Sequence, residues 1–141
     1  MPLKRSTILI IDSDLGSVFW LGQLLDGAGC ESLPAKSLSD AKSLLAELKL
    51  KVDLLIVGCA IPGAAAFAEA LRWSQGHLKT IGLLENDEEI SERKPGMDAF
   101  LQKPFLTDDV SKFNYLDLIN WVLVKHVLLL PVVPAIARHV C

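Results

Sequence analysis

Four short apolar runs limit what this chain can fold into. TILII (Thr7–Ile11), DLLIV (Asp53–Val57), TIGLL (Thr80–Leu84) and AFLQ (Ala99–Gln102) lack the polar alternation of a strand with one wet face. Strands of this kind are covered on both sides, the condition of a parallel sheet with helices packed over each face. CESLPA (Cys30–Ala35) reads as a weaker strand between the first two. The segments between strands have helical spacing. Val18, Leu21, Leu25 and Ala28 form a stripe that Gly29 stops. Ser37 opens a second helix, with Asp40 three residues on and Leu38, Ala41, Leu45 and Leu48 on its buried side. Ala64 to Gln75 is an alanine-rich helix ended by Gly76, and Asn86 caps a short polar helix, Asp87 to Lys94, that Pro95-Gly96 terminates. Thr107 is the expected cap of a long last helix, with Asp108 and Asp109 at its positive end. Strands alternating with helices mean an α/β domain, here a five-stranded parallel sheet sandwiched by helices. No repeat or linker divides the chain, so one domain is expected over 1–130, followed by an apolar tail at 131–141.

Composition narrows the function classes. With 141 residues and 51% hydrophobic content there is material for one core. A net charge of -3 gives no basic field for nucleic acid. Lys4 and Arg5 precede an apolar run, but Asp12 ends it too soon for a signal peptide. The run nearest to a membrane span, Val127 to Ala137, is interrupted by Pro131 and Pro134. Cys30, Cys59 and Cys141 are odd in number and far apart, which fits a reduced cytoplasmic protein with neither a disulfide framework nor zinc spacing. His77, His126 and His139 are too scattered to share a metal.

In a parallel sheet of this type, binding and chemistry belong at the carboxyl ends of the strands. Those ends carry Asp12-Ser13-Asp14, Gly58-Cys59-Ala60, Leu84-Glu85 and Lys103-Pro104. The third strand delivers Gly58, which has no side chain, where a functional residue would be expected. Asp14 reads as a helix N-cap and Cys59 as a small hydrophobe in a packed loop. Trp20 and Trp73 lie on helices, where packing or surface contact accounts for them.

In order and spacing, ILIIDSD (Ile8–Asp14), VDLLIVGCAIPG (Val52–Gly63) and GMDAFLQKPF (Gly96–Phe105) resemble the receiver domain of two-component response regulators. The resemblance runs from about Thr7 through the last helix, and its Lys-Pro-Phe is the most specific part. It implies a flavodoxin-like fold with strand order 2-1-3-4-5 and a cis Lys103–Pro104 bond. It also implies phosphoryl transfer to an aspartate, which needs a carboxylate nucleophile, magnesium and a cation to hold the product. Carried onto this chain, the nucleophile falls on Gly58, the metal-ligating second acid on Ser13, and the hydroxyl residue on Leu84, or on Glu85 one register away. Only Asp12 and Lys103 stand in their roles. An exposed Asp12–Lys103 pair would contribute at most about 1 kcal/mol.

The expectation is therefore a pseudo-receiver from a bacterial cytoplasm. It would not be an enzyme, would bind magnesium weakly or not at all, and would signal through a protein partner without phosphorylation. Two other readings stay open: a conventional phosphorelay receiver with another acceptor residue, and a small-molecule or redox sensor in the vacated space around Gly58, Cys59 and Lys103.

On the last helix, Phe113, Leu116, Leu123, Val127 and Leu130 are expected to cover the sheet. Tyr115, Leu118, Trp121 and Val122 then form a second apolar stripe, the expected surface of a homodimer. The resemblance puts the output surface on this side, with a shortened helix before the fifth strand. The tail is expected to pack back on the domain, or to bind a partner or second subunit.

Overall fold

A computed structural model describes residues 6–49, 51–85 and 96–124 of the chain. Five strands, β1 (Thr7–Ile11), β2 (Glu31–Ala35), β3 (Leu54–Gly58), β4 (Lys79–Leu84) and β5 (Ala99–Gln102), form one sheet. Its order is β2-β1-β3-β4-β5, and every neighbouring pair is parallel. The helices are α1 (Leu15–Gly27), α2 (Leu38–Leu48), α3 (Ala64–Ser74) and α4 (Asp109–Val124). This is the expected flavodoxin-like receiver fold. The Lys103–Pro104 bond is cis. The helix expected at Asp87–Lys94 and the tail at 131–141 lie outside the described residues.

The unbroken apolar runs are explained by two cores, one on each face. Ile8, Ile10, Leu54, Ile56, Ile81 and Leu83 point to α1 and α4. Leu9, Ile11, Leu55 and Val57 point the other way and meet Ala41 of α2 and Ala64, Phe67, Ala68 and Leu71 of α3. With successive side chains on opposite faces, a strand between two helix layers has little room for a polar residue, and the buried Thr80 of β4 donates its hydroxyl to Gly96 O.

Local signals set most boundaries. Asp14 caps α1 and Ser37 caps α2 through Asp40 N, as their types predict. Gly29, at φ 94, turns the chain out of α1.

α4 departs from expectation twice. Its cap is Asp108: Oδ2 accepts from Ser111 N at 3.0 Å and Oδ1 from the Ser111 hydroxyl at 2.8 Å. Thr107 is one residue too early to reach that amide. The two stripes are also exchanged. Tyr115, Leu118, Ile119 and Val122 are the core-facing set, and Trp121 packs partly buried against it. Phe113 is 67% exposed, whereas Leu116 and Leu123 are half-buried. The spacing 115, 118, 119, 122 is the i, i+3, i+4, i+7 pattern of a single buried face. Phe113 lies two residues from Tyr115, roughly 200° round the helix. The residues assigned to a dimer surface therefore hold α4 to the sheet. Val127 and Leu130 lie outside the described residues.

Candidate functional site

The carboxyl ends of β1, β4 and β5 bring Asp12, Glu85 and Lys103 together. Asp12 is the first residue beyond β1 and Lys103 the first beyond β5, on opposite sides of β3 and β4. Lys103 Nζ donates to Asp12 Oδ2 at 2.7 Å and lies 3.0 Å from Glu85 Oε2. Asp14 Oδ2 stands 4.0 Å away. The Asp12–Lys103 pair is not the exposed contact that was expected, since the two side chains are only 2% and 7% exposed. The 1 kcal/mol ceiling for a surface pair does not apply to it. Removing one partner of a buried pair costs about 3–5 kcal/mol, because the other charge is left uncompensated.

Burial alone would lower the Lys103 pKa, but hydrogen bonds to Asp12 and Glu85 and the charges of both outweigh it, so the pKa lies above 10.5. The ammonium is thus held charged between carboxylates. Asp14 is more exposed and serves α1, accepting from the Ser17 hydroxyl at 2.7 Å and from the amides of Gly16 and Ser17 at 3.1 and 3.4 Å. The Ser17 hydroxyl bond above all holds its carboxyl below 3.8.

Gly58 ends β3 beside this pair. Its φ is not in the left-handed region, so the backbone does not demand glycine there. Space does. A Cβ at 58 would lie 2.8 Å from Asp12 Oδ1 and 3.2 Å from Asp12 Cγ. The room that a side chain at 58 would use is taken by the carboxylate that Lys103 holds.

Of the remaining assigned residues, Pro104 lines the same cleft as Lys103. Ser13 is exposed, Pro104 is exposed, and Leu84 is buried as the last residue of β4, paired with Gln102. Cys59 turns towards the neighbouring strand, where its Sγ would be 2.5 Å from a Cβ at Gly82. An open cleft of about 380 Å³ is lined by Lys103 with Asp14, Ser17, Trp20, Glu85 and Phe105, among others, but not by Gly58 or Cys59. Trp20 stacks on Phe105 at 5.3 Å, and Tyr115 meets both rings edge-on.

Glu85 as a partner of Lys103 was not foreseen. Its signal was its position, since the first polar residue after an apolar strand sits on the functional rim.

The fold implies magnesium, and the donors present do not fit it. Magnesium takes near-octahedral oxygen ligation from carboxylates and waters. Here Oδ2 of Asp12 is bonded to Lys103 and Oδ1 faces Gly58, which offers no oxygen from a side chain. Ser13 supplies a neutral hydroxyl, and among the described residues no group of three or more His, Cys, Asp or Glu is placed to hold a metal. No helix among the described residues is long and apolar enough to cross a membrane.

No family model and no curated protein matches the chain. Solved structures do. A putative response regulator from Chloroflexus aurantiacus J-10-fl is similar at 25% identity and TM-score 0.69, covering 86% of this chain and 100% of its own. A response regulator receiver protein from Burkholderia phymatum is similar at 19% identity and TM-score 0.69, with 89% and 100% covered. The chemotaxis response regulator CheY4 of Vibrio cholerae is similar at 20% identity and TM-score 0.65, with 81% and 98% covered. The chain has the receiver fold over nearly the full length of each. At these identities the likeness defines the fold, and the site is read from its own residues.

Proposed function

We propose that this chain is a receiver-like signalling module that works through contact with a protein partner and takes no phosphoryl group. One observation carries the reading. Where the resemblance places the accepting aspartate there is a glycine, and the carboxylate of Asp12 fills the space beside it. Phosphoryl transfer depends on a nucleophile and on neutralising charge at the transferring oxygens. Gly58 supplies no nucleophile. Lys103 is engaged by Asp12 and Glu85, and Ser13 is a poor substitute for a metal-binding carboxylate. Binding of magnesium is accordingly weak or absent, and no catalytic role is assigned to any residue.

Incubation with acetyl phosphate and magnesium, followed by intact mass and peptide mapping, tests this. The expected result is no phosphoryl adduct under conditions that label a working receiver. A stoichiometric adduct on any side chain would overturn the proposal and favour a receiver with a different acceptor.

A further inference from the structure

An apolar groove runs between α1 and α4, and none of Asp12, Glu85 and Lys103 lines it. Its volume is about 460 Å³, and Trp20, Leu24, Ala28, Phe113 and Leu116 line it, with Asp109 and Lys112 on the α4 side. On the part of α4 turned away from the sheet, Val110 and Phe113 are 69% and 67% exposed, and Leu106 just before the helix is exposed as well. Apolar side chains of this size, grouped in water beside an apolar groove, mark a contact surface.

Charge narrows what can lie on it. α1 brings no charge to the groove, its one charged residue being Asp26. α4 brings Asp109 and Lys112, and among the described residues neither is held in an ion pair. The groove is thus bordered by one acid and one base. A strongly acidic or strongly basic partner would be repelled by one as much as attracted by the other.

We propose that the groove is the interface between two copies of this chain, packed α4 against α4 in antiparallel about a two-fold axis. In such a contact one patch meets itself, so that residue i faces j and j faces i. With the helices antiparallel, the flank of α4 that borders the groove meets the same flank of the second copy. Asp109 and Lys112 are one helical turn apart, about 4.5 Å along the axis at 1.5 Å per residue. A two-fold axis near the midpoint of that interval sets each Asp109 against the other copy's Lys112, and both charges are matched. The same axis brings each Phe113 beside the other copy's Val110, where both leave water. A net charge of only -3 opposes the approach of two copies weakly.

The test uses the full chain under reducing conditions, so that no disulfide contributes. Sedimentation equilibrium should show a reversible dimer. Phe113→Asp should weaken it by roughly tenfold or more, with the circular dichroism of the fold retained because Phe113 is exposed. Charge reversal tests the pairing. Asp109→Lys sets lysine against lysine and Lys112→Asp sets aspartate against aspartate, so each variant alone should dimerise less well than wild type. An equimolar mixture of the two should recover a mixed dimer, since every residue 109 then meets the opposite charge at 112. A wild-type monomer at the highest soluble concentration would overturn the proposal. So would a dimer indifferent to Phe113→Asp, or a mixture that associates no better than its components.

Discussion

Restoring a side chain at position 58 is the most direct test of the site. Gly58→Ala places a Cβ 2.8 Å from Asp12 Oδ1, 3.2 Å from Asp12 Cγ and 3.5 Å from Ile61 Cδ1. Asp12 cannot yield without stretching the 2.7 Å bond to Lys103, in a place where both side chains are nearly sealed from water. Overpacking of this kind costs about 1–3 kcal/mol. At roughly 3 °C per kcal/mol for a chain of this length, the midpoint should fall by roughly 3–9 °C. Gly58→Asp adds charge to bulk, and Gly58→Asn is its neutral match in shape. Two carboxylates about 4 Å apart repel by about 4 kcal/mol at an effective dielectric of about 20. Lys103, already shared with Glu85, offsets only part of that. The aspartate variant should therefore melt below the asparagine variant at neutral pH. The gap should close in acid, because repulsion raises the folded-state pKa of the new carboxyl and its penalty disappears once the group is protonated. Thermal melts followed by circular dichroism, with and without magnesium, read all three variants. A Gly58→Ala midpoint within about 1 °C of wild type would show that Asp12 moves freely, and the space argument would fail. Full recovery of Gly58→Asp by magnesium would show that the donors suffice for a metal after all.

Lys103→Met keeps the side-chain stem but strands Asp12, and should cost roughly 3–5 kcal/mol in chemical denaturation at neutral pH. The folded pKa of Lys103 is raised, so its contribution is complete below the unfolded value and is lost only as pH climbs through the folded one; the wild-type advantage should hold steady through neutral pH and shrink above 10.5. Asp14→Ala removes the α1 cap at a cost of about 1 kcal/mol. Because that carboxyl is held below 3.8, the difference from wild type should persist above 3.8 and vanish as pH falls through the lower folded value. Gly82→Ala drives a methyl into Cys59 Sγ and the Phe100 ring, 2.5 and 3.1 Å away, and should cost about 1–3 kcal/mol in the same melts. Adding Cys59→Ala should recover most of it, whereas no recovery would make the Phe100 ring the real obstacle.

Much of the fold was legible because its strands are buried twice over. TILII and DLLIV admit few readings other than central parallel strands, and the caps at Asp14 and Ser37 follow from residue type and offset. α4 was misread because its apolar residues surround most of the helix. When Phe113, Tyr115, Leu116, Leu118, Ile119, Trp121, Val122 and Leu123 are all candidates, composition does not select a face, and only packing against Ile81, Leu83 and Leu101 does. The site was legible at Asp12, Gly58 and Lys103 because each stands at a strand end. Its burial was not. Whether a lysine seals against a carboxylate depends on distances across four strands, here β1, β3, β4 and β5, and a linear sequence does not carry them.

On the proposed reading, the neutral residues at 13 and 58 have one electrostatic logic. Lys103 supplies one positive charge to Asp12 and Glu85, with Asp14 at 4.0 Å. Carboxylates at 13 and 58 would raise the acids around that ammonium from three to five. Such a cluster is tolerable when a divalent cation neutralises it, and without one each added anion repels the others, most strongly at position 58 beside the buried Asp12. A neutral Ser13 and a glycine at 58 add no further anion to the three carboxylates that share Lys103's single charge. Gly58 does so twice, removing a charge and making room for the Asp12 carboxylate to reach the ammonium. The buried pair and the missing acids are thus two aspects of one arrangement. Rebuilding the acids singly, without a metal to join them, works against the bond that closes the site.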